Sequence, residues 1–164
     1  MIVNMLMKEV IPEPSEEQWK AIDVDFWKIW NFPNCIGAVD EKHVNIEAPA
    51  NIDSVYFNCK IASSVILLAL VDGNYNFIMI DVGSFGGSSD SGIFSHSALG
   101  KRMANGSLNI QPDSRLTGTN IEMPFVVVGD EAFPLKTYLM RTYPGHRLSG
   151  NDFMTYFNNR LSCA

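Results

Sequence analysis

Two aspartates each lie in or directly after a short run of β-branched and apolar residues. Asp40 lies within the segment from Ile36 to Ile46, and Asp130 follows the segment from Phe125 to Gly129. A short apolar run bounded by turn residues is typical of a buried strand, and a sheet can hold two carboxylates rigidly around a divalent metal. The sequence therefore predicts Asp40 and Asp130 as metal ligands, provided that the fold brings them together.

Each of these residues also has a simpler interpretation, and three neighbours form a second tier of candidates. Asp40 can be a strand-end acid in a surface salt bridge, and Asp130 can be a helix N-cap. Strand alternation places Lys42 on the face of Asp40, where its ammonium group can meet a phosphate. His43 points to the other face and is more often a packed imidazole than a ligand. Asp90 is explained equally well as a helix N-cap and as a site residue.

Length and composition predict one folded domain. The chain has 164 residues, of which 46% are hydrophobic, enough for a single core. The longest apolar stretch, Val65 to Val71, is far shorter than the roughly 20 residues that cross a bilayer. The N-terminus lacks a basic secretory signal region, so we expect an intracellular protein without a membrane role. The net charge of −6 has the wrong sign for a domain that binds DNA through its own field.

The cysteines favour free or buried thiols. They stand at positions 35, 59 and 163, which is an odd number at wide spacing and in no C-x-x-C pattern. Such spacing argues against a disulfide framework and against a structural zinc site.

Hydrophobic periodicity and turn residues predict an α/β chain in the order helix, three strands, helix, strand, helix. A capping box formed by Ser15 and Gln18 opens the first helix, and the Asp72 to Tyr75 turn joins two strands of an antiparallel meander. A flexible loop is predicted from Gly83 to Asp90, and a further helix is predicted to start in the segment from Pro134 to Met140. The remaining predicted elements are a helix over 15–30, strands over 35–46, 63–71 and 77–82, a helix over 93–103, a strand over 125–128 and a helix over 151–164.

An ordered set of motifs then resembles the DDE endonuclease domain of PIF/Harbinger-type transposases and their domesticated relatives. The resemblance covers residues 15–162. Its motifs are Phe32 to Asp40, Lys42 to Val44, Tyr56 to Lys60, Leu67 to Ala69, Gly83, Ser89 to Ser91 and Val128 to Leu135.

The resemblance implies a ribonuclease H-like fold, with a mixed sheet whose antiparallel three-strand meander is flanked by helices. It divides the chain into an N-terminal segment, 1–14, and the endonuclease domain, 15–164. Carried over by position, the two metal-binding and catalytic aspartates of that family are Asp40 and Asp130, and the cofactor is Mg²⁺ or Mn²⁺. The family's third carboxylate follows the stretch that begins at Phe157 to Ser162, so we expect the domain to be C-terminally incomplete.

Three functions remain open at this stage. The first is a divalent-metal-dependent DNA endonuclease, whose activity is in doubt without the third carboxylate. The second is a domesticated, non-catalytic nuclear binding module that reaches DNA through a separate DNA-binding protein. The third, ranked lower, is a metal hydrolase of unrelated fold. The first two imply the nucleus, although the cytoplasm is not excluded, and homo-oligomerisation is left open.

Overall fold

The computed structural model describes residues 9–47, 63–85 and 90–163, without the side chains of residues 84, 85, 90 and 91. The strands are β1 (Cys35–Asn45), β2 (Ser64–Val71), β3 (Phe77–Phe85), β4 (Ser114–Arg115), β5 (Glu122–Met123), β6 (Val126–Gly129) and β7 (Leu139–Arg141). The helices are α1 (Glu16–Asp25) with a π-helical extension (Phe26–Trp30), α2 (Asp90–His96), α3 (Ala98–Asn105), a 3₁₀ turn (Gly145–Arg147) and α4 (Asp152–Cys163).

Five strands form one mixed sheet in the order β3-β2-β1-β6-β7. The pairs β1–β2 and β2–β3 are antiparallel, so the predicted three-strand meander is confirmed. Its turn is built by Asp72, whose carboxylate accepts hydrogen bonds from the backbone N–H groups of Asn74 and Asn76. The residue that takes positive φ in this turn is Tyr75, at 65°. The arrangement matches the ribonuclease H-like class.

The other half of the sheet is parallel. β6 pairs with β1, and β7 pairs with β6, all in the same direction. The helix predicted to start within Pro134 to Met140 is therefore wrong, because Leu139 and Met140 belong to β7. Leu139 is fully buried, and the backbone N–H of Val127 in β6 donates a hydrogen bond to the carbonyl oxygen of Tyr138 at 2.9 Å. Non-local pairing of this kind overrides a local helical pattern.

Alternation along the strands gives the sheet two apolar faces. Ile66, Leu68 and Leu70 of β2 point to one face, where they meet Trp19 of α1 and Phe94 of α2. The opposite face carries a second cluster that packs under the π-helical extension and α4. Burying each large side chain contributes about 1.5–3 kcal/mol relative to exposure. The second cluster consists of Phe26, Phe32, Cys35, Val126, Val128 and Leu161.

The helices begin and end at identifiable residues. Ser15 and Gln18 form the predicted capping box at the start of α1. The helix predicted over 93–103 is instead two helices, because the hydroxyl of Ser97 accepts a hydrogen bond from the N–H of Gly100 and starts α3 anew. A Cβ on Gly100 would lie 1.9 Å from the carbonyl oxygen of Phe94, so this sharp turn requires glycine.

Some predicted features fall outside the described residues. These are the Tyr56 to Lys60 motif, most of the loop between Gly83 and Asp90, and Cys59. Of the cysteines that the structure does describe, Cys163 is exposed and Cys35 is buried, and both are free. Burial raises the pKa of the Cys35 thiol to about 12, which makes it unreactive. Among the described helices, none has the length and hydropathy needed to cross a bilayer.

Candidate metal centre across three parallel strands

The register of the parallel strands places Asp40 and Asp130 side by side. Ala38 of β1 pairs with Val128 of β6, and each aspartate follows its paired residue by two positions. Adjacent strands lie about 4.8 Å apart. The two carboxylates therefore leave neighbouring strands at the same level and on the same face of the sheet.

The third parallel strand adds a hydroxyl to this row. Met140 of β7 pairs with Val128, so Thr142 stands at the level of Asp130. Ligands of open α/β sheets bind at the carboxyl ends of parallel strands. Here a cleft of about 360 Å³ lies at the carboxyl ends of β6 and β7 and beside the middle of β1. Asp40, Asp130 and Thr142 line it together with Leu161 and Ser162 of α4.

Both aspartates are exposed, and each is oriented by its own backbone. Oδ1 of Asp40 accepts a hydrogen bond from the N–H of Glu41 at 2.8 Å. Oδ1 of Asp130 accepts one from the N–H of Ala132 at 2.9 Å. Residues 131–133 form a turn and not a helix, so the helix N-cap interpretation of Asp130 is wrong. Because both side chains are exposed, a cation can reach them.

The turn after Asp130 is clamped from β7. Nη1 of Arg141 donates hydrogen bonds to the carbonyl oxygens of Glu131 at 2.8 Å and Phe133 at 3.0 Å. Gly129 allows the turn to close tightly, since a Cβ there would lie 3.0 Å from Phe133 and 3.1 Å from Val39. Asp130 thus has a defined position although it lies beyond the end of its strand.

The structure separates the second-tier candidates. Lys42 pairs with Leu67, next but one to Asp40, so it lies on the same face and is exposed. His43 lies on the opposite face, as predicted, where Nδ1 is 2.9 Å from the hydroxyl of Ser64 and Nε2 is 3.9 Å from Oε1 of Glu41. Glu41 is also turned away from Asp40. Asp90 is the first residue of α2, and its side chain is not among those described.

Charge is distributed unevenly over the fold. Residues 9–47 carry nine acids and three lysines, a net charge of −6, whereas residues 132–163 carry four Lys and Arg against one acid, a net charge of +3. The second segment includes β7 and α4, which border the cleft. The cleft therefore lies beside the basic one of these two segments, residues 132–163, although the chain as a whole is acidic.

The donor set fits a hard divalent cation. Mg²⁺ is typically held by one or two carboxylates and completes its shell with water and substrate phosphate. Asp40 and Asp130 supply those two carboxylates. In the described part of the chain, no group of three His, Cys, Asp or Glu side chains could hold a metal ion, so a third protein carboxylate is not among these residues.

Sequence reasoning missed Thr142, Ser162 and Arg141. Thr142 and Arg141 became recognisable only with β7, whose three residues are too few to show a strand period. Ser162 lies on the predicted C-terminal helix, and the burial of its neighbour Leu161 indicates which helix face meets the sheet. A helical wheel that places Leu161 on the buried face of this helix is the one sequence signal that could have identified Ser162.

Comparison with known proteins agrees with this geometry. Residues 39–164 match the family model described as DDE superfamily endonuclease. The chain is also 31% identical over 145 residues to "Protein ALP1-like" of Arabidopsis thaliana, an alignment that covers 84% of this chain and 34% of that protein. The chain thus spans about a third of the length of the curated relative it matches. No solved structure matches the chain. Since the family model covers most of the sequence, the chain belongs to the DDE superfamily endonucleases, as its resemblance to Harbinger-type transposases implied.

Proposed function

We propose that this domain carries the two-aspartate part of a divalent-metal-dependent DNA endonuclease centre and acts in the nucleus. The observation that supports it best is the position of Asp40 and Asp130, at one level on adjacent parallel strands and in one cleft. A bound Mg²⁺ or Mn²⁺ supplies Lewis-acid polarisation of a phosphodiester and activation of a water molecule. Asp40 and Asp130 hold the cation in this proposal.

The other side chains around the cleft position the substrate. The hydroxyl groups of Thr142 and Ser162 line the cleft and can donate hydrogen bonds to non-bridging phosphate oxygens. Lys42 projects from the same face of β1, about 7 Å further along the strand, and its ammonium group neutralises a neighbouring phosphate. The basic segment 132–163 extends this attraction along the DNA backbone.

The test measures Mn²⁺ binding before cleavage. Wild type, Asp40→Asn and Asp130→Asn are compared by calorimetry and by Mn²⁺ electron paramagnetic resonance, with Glu122→Gln as the matched control because Glu122 is exposed on β5, outside the cleft. We expect each aspartate substitution to weaken Mn²⁺ binding at least tenfold and the control to leave it unchanged. Unchanged binding in both aspartate variants would remove these residues from the proposal.

A second candidate function is a non-catalytic binding module that reaches DNA through a partner protein. The observation that favours it is the net charge of −6 on residues 9–47, which repels DNA from that side and attracts basic protein surfaces. Nicking of duplex DNA in Mn²⁺ distinguishes the two functions. Metal-dependent nicking that is lost in Asp40→Asn and Asp130→Asn supports the endonuclease. Mn²⁺ binding without nicking supports the binding module.

A further inference from the structure

A second cleft lies away from the aspartates, between α1 and the segment 111–114. Its volume is about 380 Å³, and its polar lining consists of Glu16, Lys20, Asp23, Gln111 and Asp113, among other residues. We call it the α1 cleft. Phe125, which also lines it, immediately precedes β6, whereas Asp130 follows the other end of that strand. Five residues of extended chain separate the two clefts by about 16 Å, so an occupant of one leaves the other open.

Two oxygen atoms in the α1 cleft are buried and accept no hydrogen bond. Oε1 of Gln111 belongs to a side chain that is only 9% exposed, and Oδ1 of Asp23 is equally shielded from solvent. Within the described residues neither atom has a hydrogen-bonding partner. A buried acceptor without a donor is costly, and most such acceptors in folded proteins are satisfied. Both atoms therefore lack a donor among the described residues.

The charge of the cleft specifies a cationic donor. Lys20 is the single basic side chain of the lining, and its Nζ lies 2.6 Å from Oε1 of Glu16. This pair is neutral as a whole, which leaves the two carboxylates of Asp23 and Asp113. Burial raises the pKa of Asp23, while the nearby backbone N–H groups of Cys35 and Asn34 oppose this rise in part. A cation that donates hydrogen bonds would relieve that burial cost.

The shape and donor set favour a guanidinium group over a metal ion. The described residues contain no group of three His, Cys, Asp or Glu side chains able to hold a metal. Guanidinium presents five N–H donors in one plane and can bond a carboxylate and an amide oxygen together. Val24, Pro112 and Phe125 provide an apolar wall, against which the aliphatic stem of an arginine can pack.

We propose that the α1 cleft is a docking site for an arginine side chain of a partner protein. The guanidinium group donates to Asp23 and to Gln111, and the stem lies against the apolar wall. The acidic surface of residues 9–47 draws the basic partner towards the cleft. This site is separate from the candidate metal centre. The docking proposal therefore does not depend on whether the domain cleaves DNA.

The test uses N-acetyl-arginine amide as the probe and observes the backbone amides of the whole protein by ¹⁵N NMR. We expect saturable shifts at residues 111–114 and in α1, with millimolar affinity for a single side chain. The neutral citrulline analogue, which keeps the shape and loses the charge, should bind at least tenfold more weakly. The lysine analogue should also bind more weakly because its ammonium cannot span both acceptors.

Three variants separate binding from folding. Asp23→Asn and Gln111→Met should each reduce the response to the arginine probe at least tenfold, and Asp113→Asn should reduce it by a smaller factor. Glu17→Gln is the matched control, since Glu17 lies on α1 but outside the cleft, and should behave as wild type. Should one buried substitution unfold the protein, the exposed Asp113→Asn variant still carries the comparison.

Several results would overturn the proposal. One is the absence of saturable shifts with the arginine probe in wild type. Another is an equal response to the citrulline analogue, or an unchanged response in Asp23→Asn and Gln111→Met. A third is a stronger and competing response to Ca²⁺ or Mg²⁺ at the same amides, which would assign the cleft to a metal ion.

Discussion

The two acidic clefts have almost the same volume, about 360 Å³ and 380 Å³, but they hold their oxygens in opposite ways. In the first, Asp40 and Asp130 are exposed, and a backbone N–H already orients one oxygen of each. In the α1 cleft, Oδ1 of Asp23 and Oε1 of Gln111 are buried and accept no hydrogen bond within the described residues. The volume of a cleft therefore does not indicate its ligand. The exposure of its acceptor oxygens, and whether they already accept a hydrogen bond, is more informative.

The difference follows from the elements that carry each cleft. Adjacent parallel strands fix the two exposed aspartates at one level, where the solvated carboxylates can exchange water for a cation. The α1 cleft is formed between a helix and an irregular segment, where Oδ1 of Asp23 and Oε1 of Gln111 become shielded without gaining a donor from the described residues. The first arrangement suits a hydrated ion, and the second suits a ligand that brings its own N–H groups.

The largest expected effect comes from removing the side chain that holds the far wall of the α1 cleft. Asn34 is buried at a φ of 53°, and its Nδ2 donates to the carbonyl oxygens of Ser114 at 3.2 Å and Met123 at 3.1 Å. Asn34→Ala should cost about 3 kcal/mol of unfolding free energy, from two lost hydrogen bonds and a left-handed alanine. Urea denaturation measures this loss.

The same variant should separate the two clefts. Since Ser114 lines the α1 cleft, Asn34→Ala should weaken the response to N-acetyl-arginine amide and leave Mn²⁺ binding intact in the folded protein. Asn31→Ala is the matched control, because Asn31 has a φ of 54° but is exposed. It should cost about 1 kcal/mol for the left-handed backbone alone. Equal costs for both substitutions would show that the two side-chain hydrogen bonds contribute nothing.

A smaller effect should follow from releasing the turn after Asp130. Arg141→Ala removes two charge-assisted hydrogen bonds to backbone carbonyls and should cost about 2 kcal/mol. Because the turn positions Asp130, Mn²⁺ affinity should fall while the arginine probe still binds the α1 cleft. Arg147→Ala, at an exposed position in the 3₁₀ turn, should change stability by no more than about 0.5 kcal/mol. A loss of probe binding in Arg141→Ala would mean that the clefts are coupled.

Much of the placement of Asp40 and Asp130 could be predicted because its signals are local. The Asp72 turn and the alternation of β2 determine the meander, and two apolar runs that each lead to an aspartate indicate neighbouring strands. The side on which Lys42 and His43 lie also follows from alternation. The family resemblance, which the comparison confirms, contributed the order of the motifs and the candidate role of the two aspartates.

The rest depends on contacts between distant residues. β7 pairs with β6, which no local pattern indicates, so the segment from Pro134 to Met140 carried a misleading helical pattern. Ser97 interrupts a helix because its hydroxyl bonds Gly100, a cap that periodicity does not register. The α1 cleft was beyond prediction, since Gln111 lies in an irregular connection whose position beside α1 is visible only in the fold.

The smallest expected effect tests the burial cost in the α1 cleft through pH. Burial raises the pKa of Asp23 above its ordinary value of 3.8, so its contribution to stability is fully present below that value and is lost as pH rises through the folded-state pKa. Asp23→Asn should therefore unfold at a higher temperature than wild type at pH 7, and this difference in unfolding temperature should disappear on acidification below about pH 4.

The control Glu17→Gln should unfold at a lower temperature than wild type at pH 7, because hydrogen bonds from its own backbone N–H and from Ser15 lower the pKa of Glu17 below 4.5. Its contribution is present above that value and disappears as pH falls. If thermal scans across this range showed Asp23→Asn destabilised at pH 7, the backbone N–H groups of Cys35 and Asn34 would outweigh the cost of burying Asp23, and the contrast between the two clefts would fail.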